Sequence, residues 1–293
     1  MKIIVIGSVI FSKSIIEYLM RRKIKINGII GKKSSSFNSD YFDIVNYFKK
    51  KDIKSVYTND INGKKIYSWI TKIKPDIIIC LGWSKLLKKK ILNIPKIGTI
   101  GYHPSDLPKN KGRHPIIWSI FLGLNKIAST FFQMNTKADD GKIISKKYLN
   151  IKGKIALEVY NNLIKIAGPQ LFNILKNIEK KDKFIFQKQK KRNSNFWRKR
   201  NSNDGKIDWR MDASKILLLI NSLSYPYPGA HFEYKGQIIK VWKAKMIKKE
   251  EKNFEPGKIL NSSRSYPTIK CGKNSLKLLE FKPKILLKKN TYL

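Results

Sequence analysis

The sequence predicts an α/β protein: a Rossmann-like, mostly parallel sheet with helices on both faces, followed by a smaller β-rich, barrel-like C-terminal domain. Three observations carry this. Strand-like and helix-like segments alternate through the first hundred residues, the order that builds an open parallel sheet. Asp76-Ile77-Ile78-Ile79-Cys80 is a nearly unbroken apolar run, as a central strand buried on both faces requires. From about Ile207 the pattern changes to short alternating strands joined by glycine turns.

Taken in order, Lys2 to Ile6 is a β-branched first strand, and Ser12 to Arg22 carries Ile15, Ile16, Leu19 and Met20 at helical spacing. Ile24 to Ile30 reads as a second strand, Tyr41 to Phe48 and Ile66 to Ile73 as helices, and Gly98 to Tyr102 as a further strand ending at His103-Pro104. Residues 155–178 repeat apolar side chains helically, with a break or kink expected at Gly168-Pro169. Lys180 to Arg200 holds ten basic residues and one acid, and reads as a linker or a solvated strand pair. A helix over Ala213 to Ser222 leads through Tyr225-Pro226-Tyr227-Pro228-Gly229 into strands at His231–Tyr234 and Ile238–Trp242, turned by Lys235-Gly236. The expected organisation is a catalytic domain over 1–180, a basic linker over 181–206 and a small domain over 207–293.

At 293 residues and 42% apolar content, both parts have enough material for a core. No apolar run reaches the ~20 residues of a membrane span, and the short N-terminal run fits a buried strand better than a signal peptide. Cys80 and Cys271 have no metal-type spacing and read as reduced structural thiols of a cytoplasmic protein. The net charge is +42. An RNA- or phosphate-binding surface is one reading of it. The other is compositional, because only eight of the 62 basic residues are arginine, whereas phosphate recognition favours the guanidinium fork. Neither a dinucleotide loop follows Gly7-Ser8 nor a phosphate loop Gly31-Lys32-Lys33-Ser34.

Two segments carry candidate chemistry. One runs from Gly101 to Pro115 (GYHPSDLPKNKGRHP), the other from Met134 to Ile143 (MNTKADDGKI). A histidine at a strand end suits proton transfer, its unperturbed pKa lying near ~6.5. An acid on a glycine-containing loop can orient that ring. Read alone, such a histidine is more often structural and Asp139-Asp140-Gly141 more often just a turn.

Together the motifs resemble the folate-dependent formyltransferases. His103-Pro104-Ser105-x-Leu107-Pro108 with Gly112 and Pro115 is similar to that family's signature, and Met134-x-x-x-x-Asp139-x-Gly141 stands at the spacing of its catalytic aspartate. Cys80 to Leu87 resembles the strand-turn segment lining its pterin pocket, and Lys206–Trp209, Tyr227–Ala230 and Ile239–Trp242 resemble its appended domain. The resemblance implies 10-formyltetrahydrofolate as co-substrate and direct transfer of a formyl group to an amine. It implies His103 and Asp139 as catalytic residues; Leu81, Gly82, Trp83, Lys85, Leu86, Leu87, Asp139 and Gly141 around the cofactor; and Ser105, Asn110, Arg113 and His114 towards the substrate. Stabilising charge on the formyl oxygen is the largest expected term, with ~2.7–4 kcal/mol lost per donor removed. Where the family carries an asparagine, this chain has Gly101. A substitute donor is then expected from Asn110, Arg113, His114, a water or a backbone N–H. The acceptor expected is an amino-sugar nucleotide, because Gly31 to Asn38 is short beside the basic loop of the enzymes that act on initiator tRNA. That tRNA is the alternative acceptor, and an impaired enzyme or RNA-binding module is the second alternative. A homodimer is compatible with the family.

Overall fold

The structure is a computed structural model and describes residues 1–35, 38–189, 194–248 and 252–293. In chain order the first elements are β1 (Ile3–Gly7), α1 (Ile10–Arg21), β2 (Gly28–Gly31), α2 (Ile44–Lys49), β3 (Ser55–Tyr57), α3 (Lys64–Ile73), β4 (Ile77–Leu81), α4 (Lys89–Leu92) and β5 (Gly98–His103). They continue with β6 (Lys111–Gly112), α5 (Pro115–Phe121), β7 (Lys126–Gln133), β8 (Ile143–Asn150), α6 (Ala156–Lys181) and β9 (Phe196–Trp197). The last are α7 (Ala213–Ser222), β10 (Ala230–Tyr234), β11 (Gln237–Ile247), β12 (Thr268–Lys270) and β13 (Ser275–Lys282).

Seven strands form one sheet in the order β3-β2-β1-β4-β5-β7-β8. Its first five strands are parallel, and β7 joins β5 antiparallel, with Gly101 opposite Phe132 and His103 opposite Thr130. β1 and β4 are fully buried, as their isoleucine-rich apolar runs demand. Strand alternation assigns the helices to faces. Ile4, Ile6, Ile30, Ile78 and Cys80 pack with Ile66 and Ile70 of α3 and Ile91 of α4. On the opposite face, an added Cβ at Gly7 would meet Ser12 of α1 at 2.4 Å, and one at Gly31 would meet Val45 of α2 at 2.8 Å. The two glycines allow those helices to lie close to the sheet.

The expected elements recur with shifted ends. The second strand begins only at Gly28, after a left-handed Lys23 (φ 62°) has closed α1. The first turn of α2 is held by Asp43, whose carboxylate accepts the Asn46 N–H at 3.0 Å. The expected break at Gly168-Pro169 does not occur, and α6 continues through Pro169 for 26 residues. Gly168 instead gives Tyr18 of α1 room, since a Cβ there would lie 2.8 Å from its ring. Long-range packing outweighs the one lost helical hydrogen bond.

The chain divides into two compact units that are not contiguous in sequence. The first contains Met1–Pro115, Ile127–Leu149 and Asn161–Arg198, and the second Ile116–Lys126, Asn150–Tyr160 and Lys199–Leu293. Much of the segment expected as a linker therefore belongs to the first unit. In the second unit β10, β11, β13 and β12 form an antiparallel sheet with register shifts between Val241 and Ala244. Such shifts are bulges that curl a sheet. The β10–β11 turn places Lys235 (φ 52°) and Gly236 (φ 74°) in left-handed conformations, the geometry of a two-residue hairpin. Tyr225 stacks on Trp242 at 5.4 Å, and His231 supports the sheet by accepting the Ile207 N–H through its carbonyl at 2.7 Å. No helix among the described residues is long and apolar enough to cross a membrane.

Candidate functional site

The order 3-2-1-4-5 reverses between β1 and β4, and crevices of such sheets open at the carboxyl ends of the strands there. Gly82 directly follows β4, His103 ends β5, and Lys32 directly follows β2. All three stand on that edge.

His103 is buried, 6% exposed. Its Nε2 lies 3.0 Å from the Asn110 carbonyl, so Nε2–H donates there. In the neutral ring this leaves Nδ1 with its lone pair, facing Asp139 Oδ1 at 3.7 Å. That separation exceeds a hydrogen bond. Asp139 is anchored separately, its Oδ2 accepting the Gly112 N–H at 2.9 Å. The structure thus joins the two residues that the sequence alone leaves separate.

Three unusual backbone conformations hold the loops. Asn110 (φ 61°), His114 (φ 57°) and Asp139 (φ 52°) all lie in the left-handed region, at a cost of about 1–3 kcal/mol for such strained residues. Gly112 (φ 103°) permits contact with β9, because a Cβ would stand 2.4 Å from the Trp197 carbonyl oxygen. Gly141 lies so close to the Gln133 carbonyl that no side chain fits. The 106–115 loop and the 139–141 loop are tied by Lys111, which is buried and donates to Asp140 Oδ1 at 2.5 Å. Lys146 and Tyr148 of β8 grip Asp106 at 2.6 and 2.8 Å. Burial opposes ionisation of Asp106, yet these donors prevail and hold its carboxyl below the ordinary range.

Several expected contact residues have other work. Ser105 is 1% exposed, with its hydroxyl donating to the Lys109 carbonyl and its own carbonyl receiving Thr130 Oγ1. These bonds shape the loop. Leu81 and Leu87 are inside the sheet-helix packing, so neither presents a side chain to a ligand. Lys85 donates to the Asn59 carbonyl at 2.6 Å. Gly82 is left-handed (φ 62°), and a Cβ on it would strike Val9 at 2.2 Å. Trp83 packs on the α3–α4 side of the sheet, with Lys32 Nζ over its ring at 5.1 Å. Arg113 Nη1 donates to the Ser84 carbonyl at 3.0 Å. Burial lowers the Arg113 pKa, and the nearby Asp139 opposes that change.

No amide replaces the family's asparagine at position 101. A Cβ at Gly101 would lie 2.7 Å from the Phe132 ring and 2.8 Å from Met134 Cγ. The space is filled by apolar atoms, so polar help must come from elsewhere in the crevice.

Two further residues were not anticipated. Gln189 Nε2 donates to the Asp139 carbonyl at 2.9 Å and the Gly141 carbonyl at 2.7 Å, pinning the aspartate loop. Asn195 Oδ1 accepts the Asn110 N–H at 2.8 Å, fixing the residue whose carbonyl receives His103. β6 pairs in parallel with β9 beside them. Both sit in the lysine-rich segment, where no periodicity marks them.

The sequence and the fold both match known proteins. Residues 1–173 match the formyl transferase family model, and residues 199–290 match that of the formyl transferase C-terminal domain. The bifunctional polymyxin resistance protein ArnA of Wigglesworthia glossinidia brevipalpis is 34% identical over 244 residues, 79% of this chain but only 35% of that protein. The methionyl-tRNA formyltransferase of Caldanaerobacter subterraneus is 30% identical over 233 residues, covering 79% of this chain and 74% of the relative. The N-formyltransferase of Helicobacter canadensis, solved with folinic acid and dTDP-3-aminofucose, shares the fold at a TM-score of 0.70 and 17% identity, over 96% of this chain and 99% of that one. With both family models matched in order, and a buried histidine facing an aspartate at the carboxyl edge of the sheet, the chain belongs to the formyl transferase family, enzymes that transfer formyl groups.

Proposed function

We propose that this chain transfers a formyl group from 10-formyltetrahydrofolate to the primary amine of a nucleotide-linked amino sugar. The approach of His103 Nδ1 and Asp139 Oδ1 to 3.7 Å carries the reading. With Nε2–H committed to Asn110, Nδ1 is the position that accepts the proton leaving the amine. The imidazolium so formed has Asp139 as its counter-ion, itself held by the Gly112 N–H. A shift of under one ångström closes the pair into a hydrogen bond.

The residues of the β4 turn fit the folate. Trp83 Nε1 is enclosed without an acceptor, and Leu86 is 53% exposed. An unsatisfied donor beside a bare apolar side chain suits a flat heteroaromatic ring with acceptor atoms. When bound, 10-formyltetrahydrofolate supplies the activated formyl carbon, and the chain supplies the placement and the proton acceptor.

A small acceptor is favoured by the segment after β2. Tyr41 Oη donates to the Lys32 and Lys33 carbonyls at 3.1 and 2.6 Å, holding the exit of β2 against the residues before α2. The ligand of the Helicobacter relative, dTDP-3-aminofucose, is of this class. Initiator tRNA is the second reading, supported by the methionyl-tRNA formyltransferase relatives and by the net charge of +42. Amino-sugar nucleotides and charged initiator tRNA, each offered with 10-formyltetrahydrofolate and read by mass shift, decide between them. Formylation of a sugar nucleotide alone is expected. Formylation of tRNA alone transfers the assignment to the second reading, and formylation of neither removes both.

A further inference from the structure

Three cations converge on the turn that follows β4. Lys32 Nζ lies over the Trp83 ring at 5.1 Å, Arg113 Nη1 reaches the Ser84 carbonyl at 3.0 Å, and Lys85 is the next residue of the same turn. They arrive from different parts of the sequence, the end of β2, the 106–115 loop and the turn itself. Lysine and arginine repel at such range, and the repulsion acts on Lys32. Burial lowers its pKa first, and then the positive charges of Lys85 and Arg113 lower it further. Arg113 is in turn close enough to Asp139 to feel its charge, so the cluster adjoins the catalytic pair. Asp139 is the carboxylate whose charge Arg113 feels there. Folding does not gain from gathering like charges in a crevice. An incoming anion does, because it removes the repulsion as it binds and finds charge-assisted donors already in place.

We infer that Lys32, Lys85 and Arg113 form an anion subsite beside His103 and Asp139, built for a phosphate or carboxylate group of a bound substrate. The inference rests on the reading that the crevice holds the substrates of formyl transfer, and it adds where their negative charge is received. Two sources share this chemistry. One is the diphosphate of a nucleotide-linked acceptor. The other is the carboxylate tail of the folate. Lys32 is the informative residue, since Arg113 and Lys85 also make backbone contacts, and Lys32 Nζ lies against an aromatic face.

Calorimetric titration of the full chain with inorganic pyrophosphate, and separately with 5-formyltetrahydrofolate, tests this. Four proteins are compared: the parent, Lys32→Gln, Lys32→Arg and, as a control of equal charge loss, Lys33→Gln. Far-ultraviolet circular dichroism with a thermal melt shows that each is folded. The expected result is saturable pyrophosphate binding weakened on the order of tenfold by Lys32→Gln. Lys32→Arg retains it, and Lys33→Gln leaves it unchanged. If 5-formyltetrahydrofolate weakens in Lys32→Gln and pyrophosphate does not, the subsite serves the folate tail. Equal affinities in all four proteins overturn the inference. So does an equal loss in Lys33→Gln, which would trace binding to bulk charge. A chain that shows the Lys32 dependence but formylates no amine keeps the subsite and loses the proposed reaction, so the two failures are distinct.

Discussion

A side chain at position 101 would enter space already taken by Phe132 and Met134. Restoring the family's asparagine by Gly101→Asn is therefore expected to destabilise the chain by about 1–3 kcal/mol, the usual cost of overpacking, and to give no faster transfer. Chemical denaturation and initial rates of the two proteins check both halves. A rate gain would show that the amide finds room and that the site is incomplete without it. At this scale the sequence was informative through whole motifs and not through single residue types. His103 and Asp139 were candidates by type, only the resemblance of their motifs joined them, and the fold brings them to 3.7 Å. Ser105, Leu81 and Leu87 were assigned to ligands by the motif they sit in, yet burial turns each of them inward. A motif records which residues lie near a pocket. It does not record which way they face.

Gln189 and Asn195 bond to partners 50 and 85 residues away in sequence, so nothing local marks them. They hold the two catalytic loops through backbone atoms and touch no reacting group. Gln189→Leu and Asn195→Ala are each expected to lower kcat on the order of tenfold, because misplacing His103 or Asp139 by a fraction of an ångström is costly. The KM for the folate should change little. The pH–rate profile should move in Asn195→Ala, which loosens Asn110, the residue whose carbonyl fixes the His103 tautomer. Unchanged kcat in both variants would reduce these residues to packing. Among the secondary elements, β4 and α7 were read to within a residue, since an unbroken apolar run and a clean helical period leave little choice. β7 and β8 were missed for opposite reasons. β7 is buried on both faces yet contains Ser129 and Thr130, and β8 is half-exposed with two lysines at its centre. Neither shows the alternation that betrays a strand.

For the whole molecule the dominant quantity is charge. At +42 the folded chain repels itself more strongly than the expanded one. Its melting temperature is expected to rise by on the order of 5 °C between about 0.02 M and 0.5 M sodium chloride, as screening shortens from many ångströms to a few. A melting temperature that falls with salt would mean that attractive ion pairs dominate. The parallel sheet and the β-rich second part were legible because apolar periodicity reports burial directly. The interleaving of the two units was not, since it depends on where helices α5 and α6 pass, which no local pattern records. The β6–β9 pairing also sets the order in which the chain matures. β9 lies beyond the end of α6, so a nascent chain emerging from the ribosome exposes its histidine loop long before Asn195 and Trp197 exist to fasten it. The sheet can assemble while synthesis is under way, but competence arrives late, when the last stitch is made.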